Sequence, residues 1–356
     1  MMRLSWRQFR AQAAVAVGLL VAVAVVFLTT RGHLDHLYAV YDKANAACIA
    51  SSNCPGVSIN LSKVDQLLEL VGTALVVVPA LVGAFWGAPL IAREFENGTH
   101  RLAWTQSVTR ARWLATKLGV VGLASVAVSG LLSLLVTWWS APIDRSHTNR
   151  FASGMFGERN VTPLGYAAFG FALGVVTGLL MRRTLPAMAA TIVGFLAVRM
   201  AVTYVVRPYI FSPRHQSLAL DPNSMGYGTT NGGPSTLMPN PPNLPNAWVY
   251  STHIVDNAGH GVTAQLVAAT CPSLGQPGGG GPRPGSGTDI RTVVPAGVQS
   301  ALQDCVTKLS ATFHEAVTYQ PANRYWTLQW GETFVYFAGA VALAAFCFWW
   351  IRGRAT

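Results

Sequence analysis

Long uncharged apolar runs, separated by charged loops, set the pattern of this chain. Read between flanking charges, six runs extend over Ala11–Thr30, Leu70–Ala92, Leu118–Ile143, Asn160–Met181, Thr184–Val206 and Thr333–Ile351. Only Arg199 interrupts them, in the fifth. A helix crosses the hydrocarbon core with about 20 mostly apolar residues, so the pattern predicts six transmembrane helices. Within the second run, Pro79 and Pro89 predict kinks, and Gly72, Gly83 and Gly87 offer small surfaces for close helix approach. The two residues Arg182-Arg183 leave room only for a tight turn, which makes the fourth and fifth helices antiparallel neighbours.

The loops divide by charge. Alternate segments 1–10, 93–117, 182–183 and 352–356 hold 12 Lys/Arg against Glu94 and Glu96, whereas 31–69, 144–159 and 207–332 hold 12 Lys/Arg and 12 Asp/Glu. Basic residues gather on the cytoplasmic side of membrane proteins. The expected fold is therefore an all-α polytopic membrane protein with six transmembrane helices, both termini cytoplasmic, and a loop-rich extracytoplasmic unit between helices five and six. A chain 51% hydrophobic and 11% charged places its basic residues beside lipid headgroups, so a pI near 9.8 does not point to nucleic acid. The bilayer is the expected partner, and Trp138, Trp139, Tyr325, Trp326, Trp330, Trp349 and Trp350 fall at interface positions.

Smaller patterns fill in the domains. Residues 1–10 alternate aromatic and basic positions at helical spacing, which predicts a helix lying on the membrane surface. Residues 11–206 carry helices one to five, 207–332 the outer unit and 333–351 the last helix. A short helix is expected near Leu61–Val71, and two more near Ala258–Ala269 and Val298–Val317, the latter pair flanking the Gly/Pro-rich stretch 275–287. Cys48, Cys54, Cys271 and Cys305 fall in outside loops, where disulfides form. Three pairings are possible; Cys48–Cys54 and Cys271–Cys305 keep each bond within one loop. Cys347 lies in the last span as a packing residue.

The chemistry is marked by what the chain lacks. No G-x-x-x-x-G-K-[ST] phosphate loop occurs, and Gly-Lys is absent as a dipeptide. The runs hold no acidic relay. His253, Asp256 and His260 are too loosely spaced to predict a metal site, and Ser129 has no His partner in another span, so no catalytic or metal-ligating residue is assigned. Arg199, about 10 Å below the outer end of its helix, has three readings: it lines a path, pairs with Glu332 or another outer carboxylate, or snorkels outward.

The loop after the second helix is more specific. Asn97-Gly98 carries helix-stop chemistry. Thr99 can cap a short helix containing Leu102 and Ala103, and Ser107 or Thr109 can cap the third span. The run Arg93-Glu94-Phe95-Glu96-Asn97-Gly98-Thr99, then Leu102 and Thr105-Gln106-Ser107-Val108-Thr109-Arg110 with Trp113 and Lys117, resembles the corresponding loop of type-2 ABC exporter permeases. Tyr319-Gln320-Pro321-Ala322 and Arg324-Tyr325-Trp326 resemble the actinobacterial branch of that family. The resemblance implies the permease subunit of a bacterial plasma-membrane exporter that moves an amphipathic or lipophilic molecule, multidrug efflux included. It implies a second permease copy, homo- or heteromeric, and a separate ABC ATPase that holds ATP and Mg, with no cofactor in this chain. It also makes residues 1–10 a connecting helix and the loop a coupling helix, with Arg93, Glu94, Glu96, Gly98, Thr99, Arg101 and Leu102 as coupling residues. Arg199, Phe85 and Phe195 become candidates for the substrate path. A sensor or immunity protein whose outer unit binds a peptide or antibiotic is the alternative from another class.

Overall fold

The computed structural model describes residues 2–51, 75–98, 109–142, 151, 156–221, 225–229, 235–239, 244, 246–275 and 296–353. Its helices, in chain order, are α1 (Met2–Ser51), α2 (Leu75–Glu96), α3 (Arg110–Trp139), α4 (Thr162–Met181), α5 (Thr184–Tyr209), α6 (Ala264–Thr270), α7 (Ala296–Leu309) and α8 (Tyr325–Gly353). All but α6 and α7 are long and apolar enough to cross a bilayer, and the chain is a polytopic helical membrane protein. It divides into a helical unit, Met1–Ser212 with Asn323–Thr356, and a second unit, Pro213–Ala322.

In the helical unit α4 is central. Two-thirds (67%) of its apolar stretch is buried, against 6% for α1, which is the least buried of the six. Backbone contact makes α4 central. A Cβ on Gly83 of α2 would stand 2.3 Å from the Gly170 carbonyl oxygen of α4; one on Gly174 would stand 2.1 Å from that of Gly83, and one on Gly178 2.4 Å from that of Ala88. No side chain fits between these helices. With no hydrophobic drive between helices inside lipid, such close van der Waals packing of small residues is what joins them.

The two prolines of α2 act differently from simple kinks. Ahead of Pro89 the helix widens into a π-turn, Gly83–Gly87, in which the Ala88 N–H reaches back to the Gly83 carbonyl. The same device recurs in α5: a π-turn over Val202–Val206 closes with the Arg207 N–H on the Val202 carbonyl, just before Pro208. In each case the residue before proline makes the last long hydrogen bond, because proline has no N–H to continue the ladder.

Two expectations about α1 change. The separate surface helix over residues 1–10 is instead the opening of α1, since no Gly or Pro interrupts the chain between Met2 and Val17. Nor does the helix end at Thr30. It continues past Arg31, which pairs with Asp35 one turn on, because Leu34 and Tyr38 keep the helical spacing of Phe27 and bury with Val136 and Trp139. The helix expected near 61–71 and the pair Cys48–Cys54 fall outside the residues whose side chains are described.

The second unit holds more regular structure than a loop-rich one. Strands β1 (Arg214–Leu218), β2 (Met225–Thr229), β3 (Ser235–Pro239), β4 (Trp248–Asp256) and β5 (Phe313–Gln320) form a three-stranded antiparallel sheet, β1-β5-β4, and a β2–β3 pair. The helix expected over 298–317 stops at Leu309. Beyond it Glu315 and Val317 are buried while His314, Ala316 and Thr318 are less so, the alternation of a strand. The helix expected from Ala258 starts only after Thr263, whose side chain caps it. Asp256 accepts hydrogen bonds from the Ala258 and His260 N–H groups to form a turn there instead. A disulfide joins Cys271 to Cys305, tying α6 to α7 within a core that includes Ile254, Val267, Leu302 and Val306.

Gly174→Ala is expected to cost about 1–3 kcal/mol, because its methyl group meets backbone that cannot yield. Gly119→Ala, whose methyl would meet nothing within 4 Å, is expected to gain about 0.5–1 kcal/mol from helix propensity. Thermal unfolding of the detergent-solubilised protein measures both; equal effects would refute backbone packing of α2 on α4.

Candidate functional site

At the end of the helical unit where α2 stops, the chain leaves the helix through Asn97 and Gly98, the latter at φ +70°, a conformation glycine adopts without strain. Of the two carboxylates expected to couple, Glu94 is half-buried against the bundle and Glu96 stays exposed. Glu94 bonds to Lys117 of α3, whose Nζ also donates to the Leu90 carbonyl at 3.2 Å and stands 4.9 Å from the Trp113 ring centre. Glu96 accepts from the Thr184 hydroxyl at 2.6 Å and from the Thr184 N–H at 3.3 Å. It thereby satisfies one of the open amides at the start of α5. Arg182, left-handed in the α4–α5 turn, lies over the Phe95 ring. The end of α2 is thus braced to α3 on one side and to the α4–α5 turn on the other. Arg93 is exposed. Thr109 caps α3 by accepting from the Arg112 N–H. Thr99, Arg101 and Leu102 lie outside the described residues.

At the other end of the unit the chain ahead of α4 folds into the bundle, with Phe156, Glu158 and Arg159 buried. Arg199 pairs with Glu158 at 2.6 Å and stacks on the Tyr166 ring, 4.2 Å from its centre. Glu332 is instead the partner of Arg207, held by two bonds of 2.6 and 2.9 Å, while Tyr166 donates to the same carboxylate. All four charged side chains are buried. Around them Gln329 donates to the Phe156 carbonyl at 2.7 Å, and Asn160 donates to the Tyr325 hydroxyl at 2.8 Å. Arg159 donates to Ser140, and Ser133 to the Asn160 carbonyl. This segment therefore locks α3, α4, α5 and α8 together.

Arg199 and Arg207 act on one cluster because of the π-turn between them. Eight residues of plain α-helix would leave them about 80° apart, and the one extra residue of a π-turn reduces the offset to about 20°. Burial pushes the Glu158 carboxyl up to about 7, outweighing the downward pull of Arg199 and then of Arg207.

The candidate path residues do not share a surface. Phe85 is 51% exposed, whereas Phe195 is fully buried and Arg199 nearly so. Phe195 fills the space opposite Gly170 and packs beside Phe169, so within this subunit it belongs to the core. Sequence reasoning missed Glu158, Arg207 and Tyr166 as parts of a site. Their only signal was polar residues at span ends, which headgroup-level residues share.

The model of one family, described as ABC-2 membrane transporter related, matches residues 17–207, more than half of the chain. No curated protein and no solved structure matches.

Arg207→Ala, which leaves Glu332 buried without its main partner, is expected to cost about 3–5 kcal/mol. Arg207→Lys, which keeps charge but not the fork, is expected to cost less. Equal, negligible losses in detergent unfolding would refute the lock. Because the folded Glu158 pKa is raised above 4.5, its contribution is complete below that pH and is lost as pH rises through about 7. Hydrogen exchange of residues 156–161, corrected for intrinsic rates, is expected to quicken over that window in the native protein and to lose the dependence in Glu158→Gln. A flat native profile would contradict this.

Proposed function

The chain belongs to the ABC-2 membrane transporter related family, and from that premise we propose that it is the permease subunit of an exporter for an amphipathic or lipophilic molecule. Members of this family are membrane subunits that work with an ABC ATPase. The chain's own sequence contains no phosphate loop, so ATP and Mg belong to that partner. The start of α1, the end of α8 and the loop after α2 face the cytoplasm, as the basic loops favour, and the unit Pro213–Ala322 faces outward.

The observation that carries this reading is the bracing of the α2 end. A loop that transmits force must be anchored to helices that cannot give way separately. Here the loop after Gly98 leaves a helix end fastened to α3 through Glu94–Lys117 and to α5 through Glu96–Thr184. Gly98, Thr99, Arg101 and Leu102 meet the ATPase, and Glu94 and Glu96 hold the base on which they stand. Closure of the ATPase pulls α2. The glycine seam passes the displacement to α4, and the lock around Glu158 and Glu332 passes it to α5 and α8. A second permease copy completes the path, with Phe85 on the exposed face of α2 lining it.

Glu94→Gln combined with Lys117→Met replaces the brace by neutral groups. The variant is expected to insert, to retain the co-purifying ATPase and to hydrolyse ATP, but to export about tenfold more slowly in inverted vesicles, equivalent to about 1.4 kcal/mol on the transport step. Export at the native rate would overturn the coupling role, and ATP hydrolysis by the purified chain alone would overturn the permease reading.

A further inference from the structure

α1 meets the bundle twice and parts from it in between. Near its start Gln12 donates to the Phe85 carbonyl at 3.0 Å, and Ala13 and Ala16 pack on the buried cluster of α2, α3 and α4. Near its middle Phe27 stacks on Trp139 with ring centres 4.7 Å apart, and Trp139 donates to the Thr30 hydroxyl. Between these points a groove of about 450 Å³ opens sideways, lined by Leu20, Val21 and Ala24 of α1 and by Leu131, Leu134 and Trp138 of α3. Every lining residue is apolar, and the groove lies within two membrane-spanning helices. Its surroundings are hydrocarbon, and water gains no hydrogen bond there.

The far end of the groove carries charge in a fixed order. Arg31 lies over the Trp138 ring, 4.0 Å from its centre, and donates through Nη1 to the Trp138 carbonyl. Its Nε lies 3.6 Å from Asp35, and among the described residues Nη2 is open to a further acceptor. Arg31 comes about 10 Å beyond Ala24, and Asp35 about 6 Å beyond Arg31, along the helix axis. A cation followed outward by an anion complements a headgroup whose phosphate precedes an amine.

We propose that this groove binds one phospholipid with a phosphoethanolamine headgroup. One acyl chain fills the space between α1 and α3, the phosphate meets Arg31 and the ammonium meets Asp35. The lipid completes the packing of α1 between its two contacts with the bundle. The site rests on the geometry of α1 and α3 alone. The permease reading above decides only that the lipid comes from the outer leaflet, so lipid binding survives if transport is disproved.

The test uses the purified full chain, stripped of lipid and titrated with phosphatidylethanolamine or phosphatidylglycerol, with bound lipids counted by native mass spectrometry. One phosphatidylethanolamine is expected to bind in preference to phosphatidylglycerol. Ala24→Trp and Leu134→Trp, which fill the groove, are expected to weaken it about tenfold or more. Arg31→Gln is expected to weaken both lipids about tenfold, the loss of one charged contact, and Asp35→Asn to abolish the preference for the amine. Retention of the lipid by both Trp variants would overturn the proposal, as would an unchanged preference in Asp35→Asn. So would a Leu134→Cys variant that cross-links to a second copy without bound lipid, because another protein surface then fills the groove.

Discussion

The contact on which the helical unit depends is the backbone seam between α2 and α4. In water, burying apolar side chains would drive these helices together, but lipid is as apolar as leucine and supplies no such drive. What remains is close contact of many atoms. Gly83, Gly174 and Gly178 provide it by removing the side chains that would hold the backbones apart. The π-turn at Gly83–Gly87 belongs to the same arrangement. It relieves the hydrogen-bond ladder ahead of Pro89 within the stretch of α2 that lies closest to α4.

With α4 fixed against α2, the polar groups at its two ends decide what else moves with it. Toward Met181 the chain turns at once into α5, and Glu96 secures that turn. Toward Thr162 the segment 156–161 inserts between helices and brings Glu158 to Arg199, while Arg207 and Tyr166 share Glu332. Buried charges without partners carry a large desolvation penalty. These pairs are therefore constraints on position more than sources of stability: each Arg of α5 can be buried only where its carboxylate is. The consequence is a body of α2, α3, α4, α5 and α8 that is held at several points, with α1 packed against it.

This division matters for how the chain works as a membrane subunit. The brace at Glu94–Lys117 and the seam join α2 to α3 and α4, so a displacement of α2 would be shared with them. α1, with most of its surface toward lipid, is the helix whose packing the bilayer itself influences. The second unit, in which Cys271–Cys305 joins α6 to α7, has its own core around Ile254, Val267 and Leu302 and folds on different terms.

The positions of the six spanning helices could be read from the sequence because the demand is one-dimensional: a run of apolar residues either is or is not long enough to cross hydrocarbon. The caps and stops at Thr109 and Asn97-Gly98, and the tight turn at Arg182-Arg183, were legible for the same reason, since each depends on neighbours in the chain. The lock was not. Glu158, Arg199, Arg207 and Glu332 come from three separate parts of the sequence, and nothing local distinguishes a carboxylate that turns inward from one that stays in water. Glu94 and Glu96 were picked out as loop charges, yet their partners, Lys117 and Thr184, are set by how the helices pack. The phase change introduced by the π-turn in α5 was equally hidden, because proline announces a missing donor but not how the helix will absorb it. The sequence by itself determined which six segments are apolar and long enough to cross a membrane, but not how far each helix runs beyond its apolar stretch. The tertiary structure alone decided which polar groups meet inside, because that choice depends on distances between helices that no single segment contains.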